Sequence, residues 1–257
     1  MGEAVPSEPT ALLRRITIPV AAAVAVVVGA AWYATWTSAD FLMALVAPST
    51  ITSTDLALFF ALLLVMMVAM MLPSALPMIL AYRGLTRLEA GRIVRPADAL
   101  GTFAFVGAYF LVWGAFGVAA LFALMALGIF GPWTGVAVLI PAATLVAAGA
   151  WQVTRTKAVC LKHCTAPMGF VMHHWRSGRV GAWRMGLRHS LYCVGCCWLF
   201  MIVLFVAGSM SLVWMGGLSI AILAEKLGVR TAFLSRMIGL VFLGLGALVA
   251  LGAVLVL

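Results

Sequence analysis

Every cysteine and every histidine of this chain lies between Cys160 and Cys197. In order they are Cys160, His163 and Cys164, then His173 and His174, then His189, Cys193, Cys196 and Cys197. Thiolates and imidazoles are the soft and borderline ligands that hold Cu(I) or Zn(II), so one segment concentrates the metal-binding chemistry. If helical, His189, Cys193 and Cys197 fall at i, i+4 and i+8 with Cys196 adjacent, so one stripe presents an imidazole and up to three sulfurs. Cys160 and Cys164 form a second i, i+4 pair with His163 beside them. Two such stripes facing each other would supply more than the three or four ligands either ion needs. An isolated cysteine in an apolar helix reads as a small hydrophobe. Five of them packed with four histidines favour a metal or redox site. His173 and His174, next to Trp175, are weaker candidates and read as a polar anchor.

A second soft-ligand set is Met66, Met67, Met70 and Met71, two i, i+4 pairs followed by Pro73 and Pro77. The prolines lack the N–H groups that would have bonded the carbonyls of Ala69 and Pro73. In lipid, carbonyls freed in this way must face protein, water or an ion. Thioethers suit Cu(I) and are poor ligands for hard ions. Methionine is also a flexible core filler, so plain packing stands as the alternative. Met201, Met210 and Met215 add thioethers on the segments that follow the cysteines. Glu225 is the only acid contiguous with an apolar run, a position that often marks an ion or proton path. Its neighbour Lys226 points instead to an interfacial ion pair between the two. No Gly-rich phosphate loop, nucleophile elbow or HExxH motif occurs.

The elements that must position these residues follow from composition. The chain is 65% hydrophobic and 9% charged with mean hydropathy +1.18, against roughly a quarter charged in soluble domains. Its apolar runs approach or exceed the ~20 residues needed to cross a bilayer. The expected fold is therefore all-α, a polytopic transmembrane helix bundle. Seven spans are read at 16–36, 56–81, 99–127, 133–151, 191–207, 211–225 and 237–257. The break at Gly208-Ser209 divides a run too long for one helix. With that break all sixteen Lys and Arg residues fall on one side, which the positive-inside rule makes cytoplasmic. The N-terminus is then cytoplasmic and the C-terminus periplasmic. The net charge of +9 reflects topology and attraction to anionic headgroups rather than nucleic-acid binding.

Residues 1–13 read as a disordered cytoplasmic tail and 14–257 as a single transmembrane domain. Arg14-Arg15 with the long run behind them read as a retained signal anchor, because that run exceeds the ~7–15 residues of a cleaved h-region. Residues 152–190 are the expected cytoplasmic Cys/His-rich loop, broken by Pro167 and Gly169, with Phe170, Val171, Met172 and Trp175 as an interfacial piece. On the reducing side, and with an odd count, the cysteines do not form a disulfide framework.

Several blocks together carry a resemblance. They are Ala69-Met70-Met71-Leu72-Pro73-Ser74; Lys157-x2-Cys160-Leu161-x2-Cys164-x2-Pro167; Gly186-x2-His189-x2-Tyr192-Cys193-x-Gly195-Cys196-Cys197-Trp198-x2-Met201; Gly208-x-Met210-x3-Trp214-Met215; and Glu225-Lys226. Over roughly residues 60–240 the chain resembles a bacterial family of predicted metal-binding multi-pass integral membrane proteins of otherwise unknown function. The resemblance implies metal binding at Cys160, Cys164, Cys193, Cys196 and Cys197. It supplies neither substrate nor mechanism.

The expected function is soft-metal handling (binding, delivery or translocation) in the bacterial inner membrane. Copper is the expected ion and zinc the other choice. The expected partners are the bilayer, the metal ion, and another membrane subunit or a metallochaperone. Two further readings stay open. One is a membrane thiol-disulfide oxidoreductase using Cys193-x2-Cys196 with a quinone. The other is a non-catalytic assembly or scaffold subunit.

Overall fold

The computed structural model describes residues 9–39, 53–86, 88–89, 92–93, 99–126, 135–207, 211–228 and 230–256. Nine helices are defined among them: α1 (Pro9–Thr37), α2 (Ser53–Thr86), α3 (Ala99–Ala126), α4 (Ile140–Trp151), α5 (Arg155–Thr165), α6 (Pro167–His174), α7 (Gly178–Ala207), α8 (Leu212–Leu227) and α9 (Thr231–Val256). A 3-10 turn at Gly135–Leu139 leads into α4. A two-residue antiparallel ladder, β1 (Leu88–Glu89) with β2 (Arg92–Ile93), lies between α2 and α3.

Helix α7 is the axis of the bundle. It packs against α3, α4 and α5, while α1 leans on α2, and α9 runs along α4. Gly186 sets the α3–α7 approach, because a Cβ there would run into the Phe105 carbonyl oxygen. The core holds Met66, Met70, Tyr109, Trp113, Cys193 and Met201, all essentially without solvent contact. Large apolar side chains also face outward, with Phe103 73% and Val213 84% exposed. A belt of that kind suits lipid rather than water.

Among the described residues five helices are long and apolar enough to cross a membrane: Thr17–Thr37, Ala57–Gly84, Ala99–Ala126, Gly178–Val206 and Thr231–Ala253. A sixth arises if Ala137–Trp151 and Arg155–Thr165, bent by 66°, count as one span. Helix α8 has 16 residues, so at ~1.5 Å per residue it is shorter than the ~30 Å hydrocarbon layer.

The structure departs from the sequence reading at the segment expected to be a loop. Residues 155–165, 167–174 and 178–190 are helical. Thr154 starts α5 as its N-cap, its hydroxyl accepting the Lys157 N–H at 3.2 Å, as N-cap side chains do. Pro167 opens α6 at the helix position where a missing N–H costs nothing. Gly178, at φ +78°, makes the turn into α7. Polarity had masked a helix signal: Leu161, Cys164, Phe170, Val171, Ala182 and Met185 all pack inward between the basic residues. The run after Cys193 does divide as read, α7 ending at Ala207 and α8 starting at Leu212. Helix α1 begins at Pro9, inside the expected tail. Residues 1–8, Gly208, Ser209 and Met210 lie outside the described residues.

Candidate metal centre

The last turn of α5 delivers Cys164 against the face of α7 that carries Cys193 and Cys196. The three Sγ atoms lie within 4.8 Å of one another, and all three residues are buried. The i, i+3 spacing puts the two α7 cysteines on one face, and the α5–α7 packing brings in the third. An ion bound symmetrically at about 2.3 Å from each sulfur would hold them about 4 Å apart. The group is therefore close to the size such an ion requires.

Around this group the other sequence candidates take different places. Cys197 is buried and donates its thiol to the Cys193 carbonyl at 2.9 Å, and Cys196 donates to the same oxygen at 3.1 Å. Cys160 rests against Gly195, its Sγ 2.7 Å from where a Cβ at that position would sit. His163 stacks on Tyr192 with ring centroids 4.1 Å apart, and its Nδ1 donates to the Val159 carbonyl at 2.9 Å. His174 caps the Phe170 carbonyl at 3.1 Å, while His173 is exposed. His189 is buried one turn before Cys193, stacked on Tyr109 and Phe105 with Phe170 against its edge. Neither of its ring nitrogens has a hydrogen-bond partner among the described residues. The histidines are thus not part of the three-sulfur group.

Cys193 is the hub, and its polar partners escaped the sequence reading. Lys226 donates to Cys193 Sγ at 2.9 Å and to Ser74 Oγ at 3.0 Å. The Tyr109 hydroxyl lies 3.0 Å from the same sulfur. Ser74 in turn donates to the Met71 carbonyl at 2.9 Å, and Ser190 to the Tyr109 carbonyl at 2.9 Å. Helices α3, α5 and α8 therefore meet α7 at one sulfur, and α2 joins them through the Ser74 bond to Lys226. Ser74 and Lys226 stand inside the blocks that carry the family resemblance, and Lys226 was otherwise noted only as a partner for Glu225. Nothing in the sequence singled out Tyr109.

The expected pairing of Glu225 with Lys226 does not form. Glu225, almost fully buried, accepts two bonds from Lys157 Nζ at 2.9 and 2.7 Å. Successive helix residues do not face each other, so Glu225 reaches α5 while Lys226 reaches α7. The Lys157 ammonium also sits 4.8 Å from the centre of the Phe200 ring. Lys226 is left with no carboxylate among the described residues. A buried ammonium without a counter-charge is costly, and a Cys193 thiolate would balance it. Met66, Met67, Met70 and Met71 are buried on α2, which stays helical through Pro73 and Pro77. Met201 and Met215 are buried as well.

Residues 60–249 match the PpoB2 family, described as a copper chaperone, and this chain belongs to that family. The match spans every cysteine and histidine. No curated protein and no solved structure matches.

Proposed function

We propose, from membership of this copper chaperone family, that the protein is a membrane-embedded carrier holding one Cu(I) ion on Cys164, Cys193 and Cys196. The observation behind this reading is the meeting of three buried sulfurs from two helices within 4.8 Å. Soft thiolates suit Cu(I), and a three-sulfur set suits it better than zinc, whose closed sites take four ligands. Charge favours the same reading. Cu(I) with three thiolates carries two negative charges, and the Lys226 ammonium beside Cys193 offsets one of them. Cys160, Cys197, His163 and His189 form the surrounding ligand reserve. Met66, Met67, Met70 and Met71 offer weaker thioethers along α2, with Pro73 and Pro77 shaping that helix.

In this reading the chain crosses the bacterial inner membrane seven times, with α8 as a short span. The N-terminus is cytoplasmic and the C-terminus periplasmic. Arg155, Lys157, Lys226 and Arg236 then share the cytoplasmic end, and the sulfur group sits just inside it. Copper would be exchanged there with a metallochaperone or another membrane subunit.

Elemental analysis of detergent-purified protein expressed with copper and zinc together tests the site. Wild type should carry about one copper per chain, and Cys164→Ser/Cys193→Ser/Cys196→Ser should carry none. Wild type holding only zinc, or no metal, overturns the assignment. Metal-free protein that cycles a Cys193–Cys196 disulfide would instead favour the oxidoreductase.

A further inference from the structure

A cavity of about 230 Å³ opens where the α4–α5 bend meets the start of α9. Its lining includes Lys162 and Arg236, both exposed and without an acidic partner among the described residues. Deeper in the same cavity are Gln152 and Ser235, each 5% exposed. The Gln152 Oε1 and Ser235 Oγ atoms have no hydrogen-bond partner among the described residues. Buried polar atoms in folded proteins are nearly always satisfied, so an unpaired acceptor and an unpaired hydroxyl on one cavity wall point to a missing polar guest.

Behind this cavity is the sulfur group. Gln152 and Lys157 line both the cavity and a second cleft, too narrow for water, whose far side is formed by Cys196 and Cys197. The order from outside inward is thus a cationic rim, a polar wall, the Gln152–Lys157 partition, and the thiols. A free Cu(I) ion is repelled by such a rim. A Cu(I) bis-thiolate complex carries a negative charge at the metal and is attracted by it.

We infer that this cavity is the port through which copper reaches the thiols as an anionic complex of a small acidic thiol peptide, not as a free cation. The inference rests on the copper-binding reading above and adds the form of the cargo. Lys162 and Arg236 meet the peptide's carboxylates, the Gln152 carbonyl accepts from an amide N–H, and the Ser235 hydroxyl donates to a carbonyl. The volume fits a small peptide fragment rather than a folded protein. Transfer is ligand exchange without redox change. Two donor thiolates leave Cu(I), the Cys193 thiolate and the Cys164 and Cys196 thiols bind it, and the two protons released by Cys164 and Cys196 go to the departing thiolates. Charge and protons balance, and copper stays Cu(I).

The test compares initial loading rates of detergent-purified protein from two donors under anaerobic conditions. One donor is Cu(I) with excess glutathione, an anionic peptide-thiolate complex. The other is tetrakis(acetonitrile)copper(I), a cation. Lys162→Glu/Arg236→Glu should slow loading from glutathione by about tenfold or more at low salt, in the range electrostatic steering supplies. The acetonitrile donor should not be slowed, and the glutathione difference should shrink as salt screens the rim. Lys162→Gln/Arg236→Gln, with less risk to folding, should fall between. Equal loss with both donors, or no loss with either, overturns the port while leaving copper binding intact. Wild type that takes copper from neither donor overturns the copper-binding reading, and the port with it.

Discussion

Cys193 and Met70 are both sulfur residues in long apolar helices, and both have almost no exposed surface. Their surroundings differ. Cys193 meets a hydroxyl from α3, an ammonium from α8 and the Cys164 sulfur from α5. Met70 belongs to a run of four on α2, in the same buried cluster as Cys193. Burial alone therefore does not mark a metal centre. A thiolate poised to bind metal is charged, so burying it calls for donors and a counter-charge. A thioether needs neither, and a helix can bury several with nothing polar nearby. Convergence of separate elements with a matching polar supply is what separates the cysteine region from the methionine run.

The largest test of that contrast is the buried ion pair that ties α5 to α8. Lys157→Met leaves Glu225 charged and unpaired, and should cost about 3–5 kcal/mol of stability. Thermal unfolding in detergent would show it, and adding Glu225→Gln should recover part of the loss. If Lys157→Met is neutral, α5 and α8 are not held together by this pair.

A smaller effect is expected at Lys226. Lys226→Met removes the ammonium beside Cys193 but leaves a thiol able to stay neutral, so the fold should suffer less than in Lys157→Met. Copper affinity, measured by competition with a Cu(I) chelator, should fall between tenfold and a hundredfold, about 1.4–2.7 kcal/mol. Unchanged affinity would show that charge balance at Cys193 is not part of binding.

The smallest effect belongs to the methionines. Replacing Met66, Met67, Met70 and Met71 by Leu conserves volume and should cost under about 1.5 kcal/mol per site. Copper at the thiol group should remain at about one per chain by elemental analysis. Loss of that copper would erase the distinction between the two regions and place the primary ligands on α2.

Much of the architecture was legible because membrane-length apolar runs are written directly in composition. The runs behind α1, α2, α3 and α9 stand out by length, and the division between α7 and α8 follows from Gly208-Ser209. The segment after Trp151 was not legible, because basic residues on outward faces hid inward positions such as Leu161 and Val171. Of the candidate ligands, the i, i+3 pair Cys193 and Cys196 is a local consequence of helical spacing. The choice of Cys164 over Cys160 is not local. It depends on how α5 crosses α7, where Gly195 leaves room for Cys160 to one side.

The sequence by itself determined the soft-ligand chemistry, its confinement to one segment, and the predominance of long apolar helices, since these depend on residue type and short-range spacing. Tertiary structure alone decided which sulfurs meet, that Lys157 rather than Lys226 takes Glu225, and that Tyr109 and Lys226, the latter tied to Ser74, gather at Cys193. Those contacts join residues up to 152 positions apart. They are set by the rotation and crossing of packed helices, which no local spacing encodes.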